Sequence, residues 1–356
     1  MRFSRFFDPL IILPVVGLTG VSLFILGSTT PALFSLQAGF FLAGIVLCIF
    51  FAFVDYRIWT HFVWFIYFAA LLLLMLSFLG PQVRGATRWL ELGGIRLQPS
   101  ELIKPFIILI FAHIISEKPP REVKTFGKIC LLFLPFLIFV FKQPDLGNTI
   151  VYLLIFIGLL FIGDLSRKLI WIGTFLMTLI LPLSWFILKE YQKQRIISFV
   201  NPNSDPAGAG YNALQAIIAI GSGRFTGLGL GKGTQSRLLF LPEYHTDFAF
   251  ASLGEELGFL GGSLVIFFYF LLLGRILLVS FKSEDAYTKL LATGIFTQYF
   301  IQVFINIGMN IGILPITGIT LPLISYGGSS LLSTFIGLGL ILSIIQRQKS
   351  APLVIR

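Results

Sequence analysis

Acidic and imidazole side chains crowd one polar stretch of an otherwise apolar chain. From 233 to 258 it reads GTQSRLLFLPEYHTDFAFASLGEELG, with His245, Asp247, Glu255 and Glu256 just where apolar sequence resumes. Carboxylates at a membrane boundary are costly to place there and mark functional sites by default. Asp247 has two available roles. It can cap the apolar helix that starts at Phe248, or take a proton as a general base in a partly dehydrated site that raises its pKa. His245 is a rival base, its ordinary pKa lying nearer neutrality. A His-x-Asp pair supplies only two ligands, which does not make a metal site. Glu255 and Glu256 read as helix-end charges, Glu255 near the helix face of Asp247.

Further polar segments supply partners. In RWLELGGIRLQPSELIKP (88–105), Gln98-Pro99-Ser100 reads as a helix start. Ser100 is the expected cap, and Glu101 lies in the first turn, where the helix dipole favours an anion. Lys104, at i+3, faces Glu101. The two form either a structural ion pair that carries charge into the membrane or, with Arg88, a contact for an anionic ligand. In KQPDLGNT (142–149), Pro144 and Gly147 mark a break and Asp145 is placed to cap the next helix, a second acid being the alternative.

The segment IAIGSGRFTGLGLGKGTQ (218–235) is dense in glycine. A phosphate-loop reading fails, because Gly231-Lys232 is followed by Gly233 rather than Ser or Thr and no strand–loop–helix context surrounds it. What remains is tightly turned backbone among Arg224, Lys232 and Arg237. It is either a cradle of N–H groups and cations for a pyrophosphate or sugar, or a plain re-entrant loop. The last polar element, NIGMNIGILPITGITLPLISYGGSS (306–330), is rich in turn residues. Non-helical backbone at that depth is tolerated only where it lines a cavity or is buried in protein. An outward-facing cavity walled by this segment and the long loop before residue 258 is expected.

The elements that must hold these residues are membrane helices. The 356-residue chain is 56% hydrophobic and 12% charged, about half the charged share of a soluble domain. It reads as an all-α polytopic membrane protein. Cys48 and Cys130 lie in apolar runs and offer no disulfide framework or metal spacing. The net charge of +10 reflects orientation in the membrane rather than nucleic-acid binding. About ten spans are expected, near 9–28, 35–54, 60–80, 99–116, 128–142, 147–163, 168–189, 259–280, 288–312 and 328–346. The first is too long for a secretory signal and lacks a clean cleavage site. Basic residues, among them Arg2, Arg5, Lys118, Arg121, Lys124, Lys128, Arg167, Lys168, Arg347 and Arg356, place both termini inside. The long loop between the seventh and eighth spans, about 190–258, then faces outside. Residues 1–356 read as a single membrane domain with no internal repeat of the transporter kind.

Together, RWLELGG, QPSELIK, QPDLG, FLPEYHTDFAFASLGEELGF and LPITGITLPLISYGGSS resemble the SEDS (shape, elongation, division and sporulation) family, in the same order and over nearly the whole chain. The GLGKGTQ run and the Asn306-Ile-Gly-Met element resemble its RodA branch more than FtsW. The resemblance implies a ten-span peptidoglycan glycosyltransferase of the bacterial cytoplasmic membrane that polymerises lipid II at its outer face, in elongation and shape. It implies Asp247 as the catalytic carboxylate and Glu101 and Lys104 as functionally sensitive. It also implies a class B penicillin-binding protein transpeptidase as partner, with other elongation-complex membrane proteins.

The chemistry fits these residues. An inverting attack that displaces undecaprenyl pyrophosphate needs a base. The acid of ordinary glycosidases is replaceable by cations, because pyrophosphate leaves readily. Arg88, Lys104, Arg195, Arg224, Lys232 and Arg237 form the pool of pyrophosphate contacts, with His245 beside the base; a divalent ion, Mg or Mn, is the alternative. A lipid II flippase and a non-catalytic scaffold are the rival readings.

Overall fold

The computed structural model describes residues 8–82, 87–186, 188–201, 205 and 208–350 and is helical almost throughout. Arg2, Arg5 and Arg356, used above for orientation, lie outside the described residues. In chain order the helices are α1 (Pro9–Thr29), α2 (Pro31–Phe53), α3 (Val63–Leu76), α4 (Pro99–Leu102), α5 (Lys104–Glu117), α6 (Val123–Lys142), α7 (Leu146–Ile162), α8 (Arg167–Ser184), α9 (Glu190–Val200), α10 (Ala209–Ser222), α11 (Thr234–Arg237), α12 (Ala249–Phe281), α13 (Ala286–Asn310) and α14 (Gly328–Ser350). Each expected span overlaps helix, with 99–116 divided between α4 and α5. Among the described residues, seven helical segments are long and apolar enough to cross a membrane, and the shorter α7 is also apolar.

α13 lies at the centre, packed on α12, α5 and α7, while α14 packs on α2. The α2–α14 contact is close because glycines let the helices approach. A Cβ on Gly339 would stand 2.6 Å from the Cys48 carbonyl oxygen, and one on Gly44 would strike the Phe335 ring. α8 is peripheral and presents exposed Trp171, Phe175 and Leu179, an apolar surface suited to lipid.

Three local departures from the sequence reading shape the site. The expected 99–116 span is broken into α4 and α5 at Ile103, because Pro105 has no N–H to donate and its ring disfavours a continuous helix. The N-cap of α4 is Gln98, not Ser100, which lies inside the first turn. A hairpin also precedes α4, pairing β1 (Leu90–Leu92) with β2 (Ile95–Leu97) so that Glu91 opposes Arg96. Its turn is Gly93-Gly94, both at positive φ (57° and 82°), the pair that suits a tight two-residue hairpin.

The third departure is in the long loop, which is structured by α9, α10 and α11. α12 begins at Ala249, one residue after the helix start read at Phe248 and before the span expected from 259, and is interrupted at Gly258 (φ 65°, ψ −161°). The glycine-rich segment fills the break. Leu228 and Gly229 N–H groups donate to the Glu255 and Glu256 carbonyls (3.0 Å each), and Phe259 and Leu260 donate to the Arg224 and Phe225 carbonyls (2.9 and 3.1 Å). A broken membrane helix is tolerable when its freed backbone groups find such partners.

Gly227 makes this contact possible. Its φ is 83°, and a Cβ there would lie 2.1 Å from the Glu256 carbonyl oxygen. Gly227→Ala is therefore expected to destabilise the protein by about 2 kcal/mol, from the left-handed backbone and the close approach together. Thermal unfolding in detergent measures it; an unchanged midpoint would show that the segment is not fixed to α12.

Candidate functional site

A cavity of about 690 Å³ opens where α2, the hairpin, α4, α7, α9, the segment before α12 and the loop before α14 meet. That volume lies within the range of small-molecule sites. Its lining is polar on one side, with Gln98, Asn148, Thr246, Thr317, Thr320, Ser329 and Ser330, and apolar on another, with Leu36 and Phe40 of α2. Hydroxyl and amide groups suit sugar hydroxyls, and an apolar flank suits a lipid-linked substrate. The N-terminal ends of α7 and α14 line this space, so their dipoles favour an anion within it. The cavity walled by the long loop and the 306–330 segment thus exists as the sequence suggested.

Asp247 lines the cavity and is half-buried. It does not occupy the cap position of α12: Phe248 does, without a side-chain capping bond. The segment leading to it turns sharply at Glu243, whose φ is 52° and whose carbonyl accepts from Thr246 N and Phe248 N (3.1 and 3.2 Å). A Cβ built on Gly318 would stand 3.4 Å from Asp247 Oδ2 and 3.9 Å from Arg195 Nη1. Carboxylate and guanidinium therefore reach toward one point above Gly318, which is at φ 76° and has no side chain to fill it.

The lining also includes Arg88, Glu101 and Asp145. Asp145 caps α7 as expected, accepting from Asn148 N at 3.1 Å. Its other oxygen accepts from Gln98 Nε2 (2.7 Å) and Asn148 Nδ2 (2.9 Å) and lies 3.9 Å from Arg88 Nη1. Arg88 keeps a buried Nε without an acceptor among the described residues, so its guanidinium retains donor capacity. Glu101 lines the cavity and accepts from Lys104 Nζ at 2.7 Å. Lys104 is buried behind it and does not reach the lining. The structural ion pair proposed from spacing is present. Tyr191 of α9 donates to the Pro144 carbonyl (2.8 Å), and burial pushes its phenol above the usual range, which keeps it a neutral donor.

Of the residues singled out from sequence, the cavity gathers Asp247, Arg88, Arg195, Glu101 and Asp145. Arg224, Lys232, Arg237 and His245 are not in its lining. The three cations belong to the glycine-rich segment and are exposed. Two N–H groups of that segment, those of Gly231 and Gln235, serve the protein's own carboxylates. Glu255 accepts from Gln235 N (2.8 Å), Ser236 N (3.3 Å) and Ser236 Oγ (3.2 Å), and Glu256 from Gly231 N (3.0 Å) and Ser28 Oγ. Glu255 and Glu256 stand in the last turn before the break of α12 at Gly258, a helix end as read from the sequence, but they are fully buried because the loop folds over them. His245 packs edge-on against Tyr244 and Tyr326.

Sequence reasoning missed Glu91, Arg96, Tyr191 and Glu243, all in the lining. The Gly93-Gly94 pair was the available signal for the hairpin that places Glu91 and Arg96. Among the described residues, no group of three or more His, Cys, Asp or Glu side chains is arranged to hold a metal ion.

The comparisons with known proteins agree with this architecture. Residues 3–350 match the family model FTSW_RODA_SPOVE, described as a cell cycle protein. The chain is 38% identical over 349 residues to the peptidoglycan glycosyltransferase MrdB of Escherichia coli K12, covering 96% of this chain and 94% of that one. It is 34% identical over 311 residues to the probable peptidoglycan glycosyltransferase FtsW of Trichlorobacter lovleyi, covering 84% and 80%. A chain from a peptidoglycan synthase complex, solved for the structural coordination of polymerization and crosslinking, superposes with a TM-score of 0.83 at 30% identity, over 96% of this chain and 98% of that one. The crystal structure of the Rod shape determining protein RodA of Thermus thermophilus gives 0.71 at 28% identity, over 96% of each chain.

Proposed function

The chain belongs to the FtsW/RodA/SpoVE family and is a multi-pass membrane peptidoglycan glycosyltransferase, and from that premise we propose that it polymerises lipid II in the cavity around Asp247. The observation that carries this reading is the placement of Asp247 and Arg195 on one point above Gly318, in a cavity that Arg88 also lines.

Asp247 takes the proton from the 4-hydroxyl of the acceptor sugar as its oxygen forms a bond to the donor's anomeric carbon. The bond from that carbon to the phosphate oxygen breaks, and the electron pair leaves with undecaprenyl pyrophosphate, inverting the centre. Arg88 and Arg195, with Arg96 on the hairpin, neutralise the departing charge, a role in which preorganised cations are effective. No acid is needed for so good a leaving group. A Mg or Mn ion, if bound with the substrate, would supply further neutralisation of the departing charge. Lys104 acts here only through Glu101. Arg224, Lys232, Arg237 and His245, outside the lining, are assigned no contact with the reacting atoms.

The further terms of the reading are a role in cell elongation and shape, both termini on the cytoplasmic side, the cavity on the outer face and a class B penicillin-binding protein transpeptidase as partner. The membership of a structural relative in a peptidoglycan synthase complex supports the partner.

The test is to incubate the purified protein and its transpeptidase with lipid II and resolve the products by size. Glycan ladders are expected. Lipid II crossing sealed vesicles without any polymer would favour the flippase reading, and neither activity would favour a scaffold. In the same assay Arg88→Gln is expected to lower kcat/KM by roughly 10- to 100-fold, as befits one charge-assisted contact; an unchanged value would remove Arg88 from the site.

A further inference from the structure

The carbonyls that precede the base are held one after another by groups from outside their own segment. Ser252 Oγ donates to the Tyr244 carbonyl (3.0 Å), Tyr326 N to that of His245 (2.8 Å) and Ser325 Oγ to that of Thr246 (2.6 Å). At Asp247 itself two amides of α13 converge: Asn306 Nδ2 at 3.0 Å and Asn310 Nδ2 at 3.1 Å. Both asparagines are fully buried, and their spacing of four puts them on one helix face.

Asn306 does more than hold Asp247. Its Nδ2 also donates to the Ile319 carbonyl at 2.7 Å, next to Gly318. One amide therefore fixes both the backbone that carries the carboxylate and the wall that the carboxylate faces. Asn310 completes the arrangement, accepting from Ala251 N (3.0 Å) in the first turn of α12 and donating to the Asn306 carbonyl (2.8 Å). The orientation of the Asn306 amide is forced, since only its nitrogen can face two carbonyls.

We propose that Asn306, seconded by Asn310, is a positioning residue that sets the Asp247 carboxylate against the reacting hydroxyl. This rests on the assignment of Asp247 as the base. Misplacing a catalytic group by about 1 Å can cost on the order of 10²-fold in rate, so a lost clamp should appear in turnover rather than in binding. The helix supplies its own control. Gln302, one turn earlier, is an equally buried amide (1% exposed), and its Oε1 has no partner among the described residues.

The experiment measures steady-state lipid II polymerisation by the protein with its transpeptidase for wild type, Asn306→Ala, Gln302→Ala and Asp247→Ala. Asn306→Ala is expected to lose about 10²-fold in kcat with KM for lipid II within about threefold. Gln302→Ala should stay near wild type. If Asn306→Ala proves unfolded, Asn310→Leu replaces it, keeping the volume without burying a charge while removing the donor to Asp247; about a tenfold loss in kcat is expected, as for one hydrogen bond. An Asn306 variant with wild-type kcat would overturn the proposal, as would a Gln302 variant equally impaired. If Asp247→Ala polymerises normally, the catalytic reading falls with it; if Asp247→Ala is dead but the Asn306 variant turns over normally, the clamp alone falls.

Discussion

Asp247→Asn is expected to lower kcat for lipid II polymerisation by about 10²- to 10⁴-fold, the range supplied by a positioned general base. Asparagine matches aspartate in size and keeps the backbone carbonyl that Asn306 and Asn310 hold. The cavity should therefore keep its shape, and KM should change little. What is lost is the ability to take a proton, an interaction made only as the reaction proceeds. Asp247→Glu keeps the chemistry but advances the carboxylate by one methylene toward the space above Gly318, so an intermediate loss is expected. A Glu variant as inactive as the Asn variant would show that position matters as much as basicity.

The second large effect is expected at the Glu101–Lys104 pair. The Lys104 side chain is wholly buried and that of Glu101 is 7% exposed, with 2.7 Å between nitrogen and oxygen. Removing one partner leaves the other charge in a poorly solvated interior, which costs about 3–5 kcal/mol. Lys104→Ala should therefore lower the thermal midpoint sharply or prevent accumulation of the protein. The double variant Glu101→Gln with Lys104→Met replaces the pair by groups of similar volume, and most of the lost stability should return. Because Glu101 also borders the cavity, this double variant separates two roles. Restored stability with poor polymerisation would give Glu101 a contact with substrate; restored stability with full activity would leave it structural. A stable Lys104→Ala single variant would contradict the account of the pair.

Much of this arrangement is legible in the sequence because a bilayer imposes long apolar runs, and those runs give the helices directly. Asp145 could be read as a cap because Pro144 and Gly147 frame it, and the Glu101–Lys104 pair because a spacing of three places them together. The irregular 306–330 segment announced a cavity because unpaired backbone is costly at membrane depth. Other features depend on contacts between distant segments. Nothing local shows that α12 breaks at Gly258, since the break is stable only when residues 224–229 supply its missing hydrogen bonds. For the same reason Glu255 and Glu256 could be read as helix-end charges but not as buried ones, since the N–H groups that satisfy them come from the loop. Glycine density suggested a site for a foreign anion, but the anions bound there are the protein's own carboxylates. Asn306 and Asn310 could be noticed as amides on an apolar helix; that they hold the Asp247 carbonyl depends on where three separate segments meet.

The measurement that tests the central claim most directly is the pH dependence of kcat/KM for lipid II polymerisation by wild type and Asp247→Asn, with both proteins shown to be folded. A carboxylate base must be ionised to act. The wild-type rate is therefore expected to fall as pH is lowered through its pKa, with a slope of one, and the asparagine variant should be slow and lack that limb. An asparagine variant with the wild-type rate and the same acidic limb would contradict the account and move the base to another residue.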